Sequence, residues 1–122
     1  MFVLNASEER RDTFIRTIPI DKPTADGFQQ HEIKLTFREL RQSQINDIYL
    51  AMPDPKQTPD ERLLKAVVVD WDGVADEDGE PLPCTPENLA ALVDIPYIRK
   101  PAATIYIEVM QNNAVKDRKV KN

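Results

Sequence analysis

The sequence predicts an α+β fold, with an N-terminal antiparallel β-hairpin or small sheet followed by a cluster of about four α-helices. Three observations carry this expectation. Apolar and polar residues alternate with a period of two from His31 to Arg38, the pattern of a half-buried strand. From Leu40 onward the apolar spacing changes to three and four, the pattern of a helix. Two Thr-Pro pairs, Thr58-Pro59 and Thr85-Pro86, supply helix starts in the second half of the chain.

In the first part, Thr13 to Ile20 is rich in β-branched residues and bounded by Asp21-Lys22-Pro23, so it reads as a strand. Pro19 has no N–H to donate, which places that strand at an edge or ends it there. Asp26-Gly27 marks a turn within a polar loop. The second strand, His31 to Arg38, turns Ile33, Leu35 and Phe37 to one face and Lys34, Thr36 and Arg38 to the other. The two runs are close enough to pair as an antiparallel hairpin, and Met1 to Leu4 is the candidate third strand.

The helical part begins with Leu40, Ile45, Ile48, Tyr49 and Met52 near one face, ended by Pro53-Asp54-Pro55. The next helix starts with Thr58 as cap, Pro59 at the first helical position and Glu61 completing a capping box. Its stripe is Leu63, Leu64, Val67, Val68 and Trp71. The run Val67-Val68-Val69 is compatible with a strand, but cap and spacing favour continued helix. Asp70 to Pro83 is the most polar stretch, with an Asp78-Gly79 turn and two prolines that exclude regular structure. A third helix follows Thr85-Pro86-Glu87 and carries Leu89, Leu92 and Val93. The last runs from about Pro96 to Ala114 with Ile98, Ala102, Ile105, Tyr106, Val109 and Met110 along one stripe. Pro101 is tolerable there only within the first turn, and Thr104 to Val109 alternates well enough to be a strand instead.

A chain of 122 residues makes one domain, residues 1–122, able to bury roughly two-thirds of its unfolded surface. It divides into a β-rich part (1–38), a helical part (39–114) and a basic tail (115–122). The absence of a basic leader with an apolar core, and of any apolar run near the ~20 residues that span a bilayer, leads to the expectation of a cytoplasmic protein. A lone cysteine, Cys84, cannot form an internal disulfide and agrees with a reducing compartment. The net charge of −5 argues against phosphate backbones and anionic lipid, so neither nucleic acid nor membrane is an expected partner.

The residues that could carry chemistry each fail a specific requirement. Asp76, Asp78 and Glu80 alternate as calcium ligands do, and Glu87 falls where the twelfth ligand would, but the sixth position is Pro81 where the motif needs Gly. Cys84 and His31 are the only residues of their kinds, and nothing in the sequence brings them together as a nucleophilic pair. Asp70 and Asp72 resemble many carboxylates that only face water. The glycines Gly27, Gly73 and Gly79 have neither the spacing nor the following Lys-Ser/Thr of a phosphate loop. The chain therefore reads as non-enzymatic, without cofactor or metal. Its apolar stripes account for a core. Part of the C-terminal stripe is also suited to lie open as a groove for a partner helix.

The segment from Leu63 to Ala114 resembles the tail assembly chaperones of long-tailed phages and prophages. The resemblance is carried by the corner Val69-Asp70-Trp71-Asp72-Gly73-Val74 and by the connector Asp76-Glu77-Asp78-Gly79-Glu80-Pro81-Leu82-Pro83-Cys84-Thr85-Pro86-Glu87-Asn88-Leu89. The helix with Tyr106 and the closing Lys121-Asn122 complete it. It covers about fifty residues well and the rest loosely, the N-terminal hairpin and helix fitting less distinctively. It implies a non-catalytic protein of the host cytoplasm that binds the long helical tape measure protein, keeps it soluble and helps recruit tail tube subunits. It also implies self-contacts between copies, that is, a weak homo-oligomer. Trp71, Ile105, Tyr106 and Val109, on the stripes flanking the acidic loop, are the first candidates for the protein-binding surface. The alternative is a structural tail component of the virion, a completion or connector subunit.

Overall fold

The computed structural model describes residues 1–4 and 12–111. The elements run β1 (Thr13–Thr24), β2 (Gly27–Arg38), α1 (Gln42–Leu50), α2 (Pro59–Val67), β3 (Val68–Asp72), α3 (Pro86–Val93) and α4 (Pro96–Met110). The expected α+β architecture is the one observed: an antiparallel hairpin in a three-stranded sheet of order β1-β2-β3, with four helices. The end of the predicted last helix at Ala114, the basic tail and Lys121-Asn122 lie outside the described residues.

The hairpin is longer than its apolar pattern implies. Its ladder is unbroken from Thr13↔Arg38 to Thr24↔Gly27, with only Ala25 and Asp26 in the turn and Gly27 at φ +138°. Ladder hydrogen bonds do not need apolar side chains, so the polar run Asp21 to Gln30 extends both strands instead of forming a loop. Pro19 sits on the edge strand, as its missing donor requires. The inner face of the sheet is Ile18, Ile20, Ile33, Leu35 and Phe37, all buried.

The third strand is a correction. Met1 to Leu4 forms no strand; β3, Val68–Asp72, takes that place and pairs antiparallel with β2 from Lys34↔Asp72 to Phe37↔Val68, with a bulge between Thr36 and Phe37. The predicted second helix is therefore cut at Val67. Three consecutive valines favour extended backbone, and a neighbouring strand with an open edge outweighs the helical spacing. Val68 and Trp71 stay buried, but as strand residues.

Both threonine caps form: Thr58 Oγ1 accepts the N–H of Glu61 and Thr85 Oγ1 that of Asn88, each at 3.2 Å. Glu61 does not serve mainly as the capping-box partner. Its carboxylate is buried and accepts from Arg99 Nη1 at 3.4 Å, tying α2 to α4. At α1 the Arg41 N–H donates to Gln44 Oε1 at 3.0 Å. That helix stops at Leu50, leaving Met52 86% exposed beyond it. Thr104 to Val109 is helix. Pro101 lies in the second turn of α4, not the first, so the helix runs through a residue that cannot donate to the preceding turn. Burial of Ile98, Ala102, Ala103 and Tyr106 on the same helix offsets that loss.

Helix α2 is the hub of the helical layer. It packs on α1, α3 and α4, and α4 also packs on β1. Leu63, Leu64 and Val67 of α2, Val93 of α3 and Tyr106 of α4 fill the interior beneath the sheet. No described helix is long and apolar enough to cross a membrane.

Candidate partner-binding groove

Two of the four residues singled out from the sequence are interior anchors. Tyr106 is fully buried; its hydroxyl accepts the Leu40 N–H at 3.1 Å and donates to the Arg38 carbonyl at 3.0 Å. Its ring lies 5.9 Å from that of Phe14 and 5.2 Å from that of Phe37, centroid to centroid. Tyr106 thus pins the passage from β2 into α1 against the sheet. Trp71 is buried too, and its Nε1–H donates to the Leu82 carbonyl at 2.7 Å, fastening the acidic connector to β3. Ile105 and Val109 are half-buried on α4, Ile105 against the core. The four share no single open surface.

The acidic connector folds on itself. Asp76 Oδ1 accepts the N–H groups of Asp78 and Glu80, at 2.9 and 3.0 Å, and backbone bonds join Asp76 to Glu80 and Val74 to Leu82. Among the described residues no three His, Cys, Asp or Glu side chains converge to hold a metal ion. Cys84 and His31 are also apart. Cys84 borders a 340 Å³ cavity with Lys65, Val68, Val69 and the start of α3, whereas exposed His31 bonds Gln29 Oε1 at 3.0 Å on the hairpin. Burial, and secondarily the charge of Asp70, push the Cys84 thiol up from its ordinary value, which disfavours the nucleophilic thiolate.

A partly covered apolar surface lies between α1 and α4. Both helices pack on α2 but scarcely on one another. Two adjoining cavities run along the gap and share Ile107. One, 230 Å³, is lined by Tyr49 of α1, Asp60 of α2 and Ala103, Thr104, Ile107 and Glu108 of α4. The other, 160 Å³, is lined by Leu40, Gln42, Ile45, Ile107, Met110 and Gln111. Residues 42, 45 and 49 form one row and 103, 107 and 110 the other, each at helical spacing, so two ridges face each other across a groove. Tyr49 donates its hydroxyl to Asp60 Oδ1 at 3.0 Å. Burial, then the bond to Asp60, then the Asp60 charge, raise the tyrosine well above its ordinary value, so it stays a neutral donor. The lining mixes apolar side chains with Gln42, Thr104 and Gln111 and two carboxylates, Asp60 and Glu108, and holds no Lys or Arg.

Reading the α4 stripe as one face concealed this site. Ile98, Ala102 and Tyr106 face the core, whereas Ile107 and Met110 are only partly covered. The legible signal was that α4 is apolar at nearly all of positions 102–110 except Thr104 and Glu108, more than one buried face needs. Compared with protein-family models, curated proteins and solved structures, the chain matches none of them.

Proposed function

We propose that the protein is a non-catalytic tail assembly chaperone of a long-tailed phage or prophage, and that it binds the tape measure protein in the cytoplasm and promotes tail tube assembly. The observation that carries the proposal is the unfilled groove between α1 and α4. A tape measure is a long chain of helices with apolar faces, and a groove flanked by apolar residues of two helices is suited to such a face. Asp60 and Glu108 suit a helix with Lys or Arg beside its apolar stripe. The charged exterior and net charge of −5 keep the chaperone soluble while it carries an apolar client. The resemblance of the Trp71 corner and the acidic connector to that family supports the same reading.

The test is co-expression with the tape measure protein from the same genome. The proposal requires that the two copurify and that the tape measure becomes more soluble; neither occurring would overturn it. A second reading, a completion or connector subunit of the tail, draws on the hairpin, whose outer half from Asp21 to Glu32 is exposed. Mass spectrometry of purified particles separates the two, because a chaperone is missing from the virion and a subunit is present.

A further inference from the structure

Four apolar residues stand in water at one end of the groove between α1 and α4. Met1, Phe2, Val3 and Leu4 form no strand and are all exposed, Phe2 to 87% and Leu4 to 71%. The cavity that this arm borders, 260 Å³, is completed by Asp12, Glu39, Leu40 and Arg41. Three of those four side chains are charged, so among the described residues that line it Leu40 is the one apolar neighbour the arm has. A contiguous apolar run left in such surroundings marks a contact still to be made.

Leu40 is a wall shared by two cavities. One is bordered by the arm; the other is the 160 Å³ cavity of the groove, where Ile45, Ile107 and Met110 join Leu40 alongside Gln42 and Gln111. An apolar cavity of about 150 Å³ holds a benzene ring, so this space suits one phenyl side chain. The wall is fixed, because Leu40 is buried and its N–H donates to the Tyr106 hydroxyl at 3.1 Å. The root of the arm is fixed beside it, where the Asp12 carbonyl accepts the Glu39 N–H at 2.9 Å. Seven residues, 5–11, separate Asp12 from Leu4, and seven residues can span up to about 23 Å. The groove from Gln42 to Tyr49 is about 10 Å long at the helical rise, well within that reach.

We propose that Met1–Leu4 is a strap that closes on the chain's own groove, with the Phe2 ring seated among Leu40, Ile45, Ile107 and Met110. Closure takes the ring and the partly covered Ile107 and Met110 out of water together. It desolvates no charge, since the arm carries no Asp, Glu, Lys or Arg side chain. The tether makes the contact intramolecular, which holds the arm at a far higher effective concentration than the arm of another copy in dilute solution. A helix entering the groove has to displace the strap, so the strap covers the groove until such a helix arrives. Closure requires only the arm and the groove, whatever the client of that groove is.

The test is NMR of the full chain alone, in dilute solution, with isotope-labelled isoleucine and methionine methyls. Nuclear Overhauser contacts from the Phe2 ring to the Ile107 and Met110 methyls are expected. Phe2→Ala should remove the ring current and shift those methyl signals, whereas Val3→Ala should leave the ring contacts in place. Both substituted side chains are exposed, so neither variant endangers the fold. In a mixed sample, with some copies labelled at the methyls and others at the phenylalanine rings, no contact should pass between copies. Absence of the Phe2 contacts, or Ile107 and Met110 methyl signals unmoved by Phe2→Ala, would overturn the proposal, as would contacts between differently labelled copies. No tape measure protein is present, so failure of the strap and failure of the proposed client are read separately.

Discussion

Replacing Tyr106 by Phe is the sharpest test of how the core holds the chain together. The substitution keeps the ring against Phe14 and Phe37 and deletes only the hydroxyl, which bonds the Leu40 N–H and the Arg38 carbonyl. Two hydrogen bonds of about 1 kcal/mol net are lost, and a buried backbone donor is left without a partner. The loss of stability should be about 2–3 kcal/mol, a fall of roughly 8 °C in Tm for a domain of this size. Urea unfolding followed by far-ultraviolet circular dichroism measures it, with the slope unchanged if only stability moves. A loss below about 0.5 kcal/mol would show that Tyr106 does not pin the β2–α1 passage.

Pro101→Ala restores a donor in the second turn of α4 and should stabilise the fold by about 1 kcal/mol, measured by the same unfolding assay; destabilisation would mean the proline ring itself packs usefully. Thr58→Ala and Thr85→Ala each remove an N-cap and should cost about 1 kcal/mol, additively, because the caps serve separate helices. Cys84 should alkylate at pH 8 more slowly than a free cysteine, since its raised pKa lowers the thiolate fraction. Asp70→Asn should quicken the reaction, and an unchanged rate would remove the part assigned to that charge. By the same sign, the stabilisation from neutral Cys84 is present below the unfolded-state value and is lost as pH rises through the folded one.

The hairpin, both threonine caps and most of the core were legible in the sequence because each has a local cause: the alternation around Leu35, the hydroxyl at Thr58, the spacing of Leu89 and Val93. The split at Val67 was not. Val67-Val68-Val69 suits a strand and the preceding residues suit a helix, and the decision rests with β2, whose edge the sequence does not display. Length also hid part of the hairpin, because Asp21 to Gln30 is held by backbone bonds that leave no apolar signature. Trp71 and Tyr106 attracted attention as large aromatics on apolar stripes. Their hydrogen bonds to Leu82 and Arg38 show what such residues do when buried. The groove escaped for a different reason. Whether Ile107 faces protein or solvent depends on α1 and α4 both leaning on α2, a tertiary fact with no local mark.

In the proposed function the gap between α1 and α4 receives a tape measure helix. Amide exchange of the chain alone and in complex with the copurified tape measure protein tests it most directly, alongside a Glu108→Lys variant whose exposed position spares the fold. Protection concentrated in 42–49 and 103–111 is expected, with at least a tenfold weaker complex for the variant, about 1.4 kcal/mol. Protection confined to other elements, with the variant binding as tightly as the parent, would contradict it.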